Sequence, residues 1–233
     1  MDIQLVIFNV VTTIIPLILA IAVHEWAHVA MARFLGDRTG EDQGRLTLNP
    51  LAHADPIWTV ALPTMFVVMQ TLASGSGFAV PFFGAGKPAP YNPLRFDRTF
   101  RGKRITMRTG ELLVAAAGPV SNMVLAVLFT AVASALYHVG GQGFGDPKSI
   151  TLLVFKFVVL NIGLAIFNLI PIPPLDGSKV LMSLLPRNAA QTYERIGTQL
   201  SMLLLVVLFM GGASFLMRPI QGAVITALLA VFF

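Results

Sequence analysis

Two histidines four residues apart bracket a glutamate in His24-Glu25-Trp26-Ala27-His28. On a helix this spacing places both imidazoles on one face, a turn apart, where they can grip a single cation. Glu25 is rotated by about 100° from its neighbours, near enough to act on a water held by that cation. The chain contains 4 His and no Cys, so any metal must be held by imidazole and carboxylate, a donor set used by catalytic zinc. The competing role is polar glue between helices. An ionised carboxylate in a membrane-spanning helix costs about 3 kcal/mol. An interhelical hydrogen bond returns about 0.6 kcal/mol on average, whereas structural zinc returns about 10 kcal/mol or more. Only the metal offsets the cost.

Catalytic zinc takes three protein ligands and keeps one position open. His53, His138 and the intramembrane acids are the candidates for the third place. His138 falls at the far end of a helix, on the external side. His53 is open as a ligand, a gate or an interfacial side chain. Asp176 is the stronger candidate. It lies in Asn168-Leu-Ile-Pro-Ile-Pro-Pro-Leu-Asp176-Gly177, where three prolines must break a helix and let the backbone bend a carboxylate inward. The alternative for Asp176 is the N-cap of a following helix.

The elements that must position these groups are helices in a bilayer. Hydrophobic residues make up 55% and charged residues 12% of the chain, with a mean hydropathy of +0.77. A soluble domain carries about 25% charged residues, so this composition belongs to a membrane protein. The first apolar run, 3–34, continues too far to be a removable signal peptide. Further runs cover 57–73, 112–137, 150–170 and 198–217, and a shorter one covers 219–233. The alternation in 43–50 predicts a strand, and the Gly- and Pro-rich stretch 75–93 cannot be a regular helix.

Seven of the 16 Lys+Arg lie between Lys87 and Arg108, beside the single acid Asp97. In so apolar a chain this run reads as a cytoplasmic loop near anionic headgroups and not as a nucleic-acid site. Simple crossing by every run would separate it from Arg33, Arg38 and Arg45, against the positive-inside tendency. The conflict disappears if 57–86 enters and leaves from the cytoplasmic side, which requires a protein-lined cavity. The helices at 3–34 and 150–170 then run parallel, with Glu25 and Asp176 near the same, cytoplasmic end. The expected fold is an all-α polytopic membrane protein of about five to six transmembrane helices, with a small β segment and a re-entrant region. It forms one domain, with a core over 4–180 and added C-terminal helices over 198–233.

These residues carry a family resemblance. The first motif, together with Asn168-x-x-Pro171-x-x-x-x-Asp176-Gly177, resembles the site-2 protease family of intramembrane zinc metalloproteases. Gly118-Pro119-Val120-Ser121-Asn122 is similar to that family's middle-helix motif. The stretch from Arg45 to Pro56 resembles a compact bacterial and archaeal branch, without the PDZ or CBS domains of other members. The resemblance implies one zinc per chain on His24, His28 and Asp176, with Glu25 as the catalytic base. It implies that Asn122 and Asn168 contact the substrate backbone or the oxyanion. It further implies cleavage of transmembrane protein substrates in or near their spanning segments, in a plasma membrane, with the site towards the cytoplasm.

Two rival classes fit less well. A transporter has no need of a glutamate between paired histidines, and no repeated halves are present. A zinc endopeptidase with a third ligand from a later glutamate must use Glu111 or Glu194, and neither lies in a suitable apolar stretch.

Overall fold

The computed structural model describes residues 2–75, 84–100, 102–140, 149–207 and 213–233. Helix α1 (Ile3–Phe34) opens at Asp2, whose carboxylate accepts from the backbone N–H of Gln4 and Leu5, and it runs unbroken through Pro16. Short helices α2 (Thr39–Asp42) and α3 (Pro50–His53) follow, and a π turn at Pro56–Ala61 leads into α4 (Leu62–Ser74). Strands β1 (Thr99–Phe100) and β2 (Lys103–Arg104) form an antiparallel hairpin, Thr99 opposite Arg104 and Phe100 opposite Lys103. The rest is helical: α5 (Met107–Gly140), α6 (Ile150–Asn168), α7 (Asp176–Leu184), α8 (Arg187–Val207) and α9 (Ala213–Phe232). Among the described residues, 5 helical segments are long and apolar enough to span a membrane. The chain is the all-α polytopic membrane protein its composition predicts.

Helices α1, α5 and α6 form the core. Lys156, early in α6, reaches Asn9 and Thr12, early in α1. Leu160 and Leu164 pack further along against Leu17 and Ile21, so the two helices run parallel. Helix α5 runs the other way, with Val114 beside His28 and Asn122 beside Ala20. Lipid offers no hydrophobic drive for helix pairing, so close backbone approach at small residues must supply it. Ala20, Ala22, Ala115, Ala126 and Ala133 are accordingly all buried.

The excursion through α4 returns to its origin. Lys87 N–H donates to His53 O at 2.7 Å, and Thr59 Oγ1 donates to Ala85 O at 2.6 Å. Residues 84–87 thus lie beside 53–59, at the level of Glu25, while Thr71 in α4 meets Asn9 near the far end of α1. That is the path expected of a re-entrant segment. Residues 76–83 lie outside the described residues.

Two expectations require correction. Residues 43–49 form turns and bends and Pro50 opens α3, with no strand. Gly44 has a φ of 69°, Arg45 bonds to Ala52 O, and Thr47 O accepts from His53 Nε2 at 2.8 Å. These local bonds and the Asn49 cap of α3 use polar groups that a ladder would need, and the β segment is the 99–104 hairpin instead. The C-terminal runs 198–217 and 219–233 are also divided differently. Helix α8 has a polar first half and is described to Val207, α9 is described from Ala213 and passes through Pro219, and residues 208–212 lie outside the described residues. Packing against α6 holds it on both sides of that proline, through Met217 with Phe167 and Ile170 and through Gln221 with Val159 O. The shorter of the two runs is therefore part of a full-length helix antiparallel to α6.

Lys156 is fully buried, a costly position for a cation inside a membrane. Asn9 Oδ1 and Thr12 Oγ1 both accept from its ammonium at 3.1 Å, and Asn9 Nδ2 donates to Thr71 Oγ1 at 3.1 Å. One polar node therefore joins α1, α4 and α6. Asn9→Leu removes an acceptor and leaves the charge, so it should destabilise the protein by about 1–3 kcal/mol, more than Lys156→Met, which removes the charge itself. Thermal unfolding of the two variants in detergent checks the order.

Candidate metal centre

Helix α1 turns His24 and His28 towards α5, and the end of α6 delivers Asp176 to the same point. The Nε2 atoms of the two histidines are 3.0 Å apart, and each lies 3.2 Å from Asp176 Oδ2. Ligand atoms about 2.0–2.1 Å from a tetrahedral zinc stand about 3.3 Å apart, so this triangle has the size the ion requires. Among the described residues, these three are the group of His and acid side chains able to hold a metal.

The tautomers agree with that fit. His28 Nδ1 lies 2.7 Å from Val114 O and His24 Nδ1 lies 2.6 Å from Asn122 Oδ1. Both partners are acceptors, so each ring carries its proton on Nδ1 and turns a bare Nε2 lone pair inward. Two lone pairs and a carboxylate oxygen converging in a buried site need a cation between them.

Gly118 makes the room. A Cβ at this position would lie 2.6 Å from His24 Nε2 and closer still to His28 Nε2, so only a residue without a side chain fits beneath the imidazoles. Gly177 has the equivalent role on the other wall, where a Cβ would collide with the Leu169 carbonyl. That close approach seats the first turn of α7 against the end of α6. Asp176 is the first residue of α7, after Leu175 at the cap position, so its carboxylate faces the histidines and does not cap the helix.

A cavity of about 170 Å³ opens on this group, lined by His24, Glu25, His28, Asn168 and Asp176 together with residues of the 84–91 segment. Asn168 donates through Nδ2 to Leu164 O at 2.9 Å and is half-buried on the cavity wall. Lys179, a turn along α7 from Asp176, also lines it, with its ammonium 5.1 Å from the centre of the Tyr91 ring. Burial raises the Tyr91 phenol pKa, against the opposing charge of Lys179.

The other expected residues lie elsewhere. His53 is buried away from the metal group and bonds to Thr47 O, pinning the turn before α3. His138 sits at the end of α5 beside Tyr137 and Phe233. Asn122 is fully buried against His24 and Asn161 and does not line the cavity. Sequence reasoning passed over Asn161 and Lys156. Their signal was simple: both are polar residues within the apolar run of α6.

Similarity to known proteins agrees with the geometry. The model of Peptidase family M50 matches residues 146–209. YwhC of Bacillus subtilis, whose assigned name proposes a zinc metalloprotease, is 36% identical over 177 residues, covering 74% of this chain and 68% of YwhC. Two mycobacterial proteins, both named Rip2 with the same proposed activity, are 30% identical. The Mycolicibacterium smegmatis protein aligns over 69% of this chain and 52% of its own length, and the Mycobacterium tuberculosis protein over 83% and 64%. No solved structure matches the chain significantly. With a zinc-sized ligand triangle inside a bundle of apolar helices, the chain belongs to peptidase family M50, the site-2 protease family of zinc metalloendopeptidases.

Proposed function

We propose that His24, His28 and Asp176 hold the zinc, that Glu25 is the general base, and that the enzyme cuts peptide bonds in or near transmembrane segments of membrane proteins as a step in regulated intramembrane proteolysis. The observation that carries the reading is the 3.0–3.2 Å triangle of His24 Nε2, His28 Nε2 and Asp176 Oδ2, set among helices apolar enough to span a bilayer. When bound, zinc supplies Lewis acidity towards a peptide carbonyl and lowers the pKa of a coordinated water towards about 7.

Glu25 lines the cavity next to His24. Its carboxylate takes the proton of the attacking water and passes it to the leaving nitrogen as the C–N bond breaks. Asn168, also on the cavity wall, is placed to hold the substrate backbone. A helical substrate must unwind to expose a carbonyl. With 43–50 folded into turns, the segment 84–91 is the candidate docking edge, because it lines the cavity and passes beside Glu25 at Gly86. The positive charge of 87–108 supports a cytoplasmic orientation in a plasma membrane.

His24→Ala, His28→Ala and Asp176→Ala should each lose most bound zinc, and Gly118→Ala should do the same without altering a ligand. Metal analysis of purified protein checks both, and full occupancy in Gly118→Ala would separate that glycine from the centre. Glu25→Gln should keep the zinc and lose cleavage of a transmembrane reporter by about 100-fold or more. Substantial residual cleavage would remove Glu25 as the base. A cysteine placed at Thr99, in a chain with no native Cys, should react with an impermeant thiol reagent only from the cytoplasmic side. Labelling from outside would reverse the orientation.

A further inference from the structure

We infer that Asn161, acting through Asn122, fixes the tautomer of His24, making both asparagines positioning residues for the metal centre. The inference rests on His24 being a zinc ligand. It starts from the one group in the chain of bonds whose polarity is beyond choice, a main-chain carbonyl. Phe157 O lies 2.8 Å from the Asn161 amide, and a carbonyl only accepts, so Asn161 presents Nδ2 there. Its Oδ1 therefore faces Asn122, 2.8 Å away, and Asn122 must answer with Nδ2. A second main-chain acceptor, Ala20 O, lies 3.4 Å from the same Nδ2 and requires the same orientation. Asn122 Oδ1 is then left facing His24 Nδ1 at 2.6 Å. The ring must donate from Nδ1, and Nε2 stays bare for the metal.

Burial keeps the alternatives closed. Asn122 and Asn161 are both fully buried, so no bulk water can take over either bond. If Asn122 turned over, its amide N–H would face Nδ1 and draw the ring proton to Nε2. A protonated Nε2 donates to Asp176 and cannot ligate. His28 needs no such device, because Val114 O accepts directly from its Nδ1. The asymmetry explains why α6 carries an amide at 161 in an otherwise apolar stretch. It also assigns Asn122 a role different from substrate contact, since both ends of its amide are engaged away from the cavity.

The test is zinc affinity, measured by chelator competition on the full chain in detergent. Asn122→Leu should weaken zinc by about 10- to 100-fold, the range for loss of a partner behind a metal-bound imidazole. Asn161→Leu should weaken it in the same direction, by about 10-fold. The double variant should be no worse than Asn122→Leu, because the two residues act in series. Asn122→Asp should recover part of the affinity lost in Asn122→Leu, since one carboxylate oxygen still accepts from Nδ1 while the other faces the acceptors Asn161 Oδ1 and Ala20 O. A merely structural interhelical amide would give the reverse, with a buried charge doing more harm than leucine. Parental zinc affinity in both Asn122→Leu and Asn161→Leu, with cleavage reduced, would overturn the inference and return Asn122 to the substrate. If Asn122→Leu does not fold, Asn122→Asp and Asn161→Leu decide the matter alone. His24→Ala serves as the control: undiminished zinc there would remove His24 from the ligands, and the inference with it, whereas zinc loss there beside intact affinity in the asparagine variants would sink the relay alone.

Discussion

Two imidazole lone pairs and a carboxylate oxygen held within 3.2 Å of one another repel unless something positive lies between them. Away from water that repulsion is barely screened, and the rest of the bundle is organised around it. The histidines are one turn apart on a helix whose neighbour is stripped to Gly118 where the rings project. The third ligand atom, the oxygen, comes from 148 residues later in the chain, counting from His28 to Asp176, and the parallel run of α1 and α6 brings it to the same end as the histidines. Every rigid element near the site serves either to bring these groups together or to keep other side chains out.

Much of this was legible in the residues themselves. His24, Glu25 and His28 lie on one continuous helix, so their relative placement follows from helical geometry alone. Asp176 was legible because Pro171, Pro173 and Pro174 cannot continue a helix, and loop charge put that break at the same end as His28. The re-entrant path was legible for the same electrostatic reason. What failed was local pattern without tertiary context. The alternation in 43–50 has a strand period, yet Gly44 and the bonds from Arg45 and His53 turn the chain back on itself. Asn122 was legible as important and illegible as to purpose, because its partners lie on two other helices. Such partners become visible only when the helices are packed.

The buried polar groups of α6 form a series with different duties. Lys156 joins α1 and α4 at one end through Asn9. Asn161 bonds in the middle to Asn122. Asn168 reaches the cavity wall at the other end. Each is satisfied in a distinct way, by side-chain acceptors, by an amide chain anchored on a carbonyl, and by its own helix backbone. A membrane interior tolerates such groups only when they are fully engaged, so these positions of α6 are specified more tightly than its apolar composition suggests.

The segment 84–91 has a further consequence. The N–H groups of Ala85 and Lys87 are already directed to Trp58 O and His53 O, and Pro88 and Pro90 have none to give. Its backbone is therefore poor in donors. A peptide laid along it finds few N–H groups to receive its own carbonyls, and those carbonyls must seek partners elsewhere. Under the proposed docking, the polarity of this edge would act as a sorting device, discouraging a peptide oxygen from settling on the 84–91 backbone and leaving it to turn towards the group of His24, His28 and Asp176.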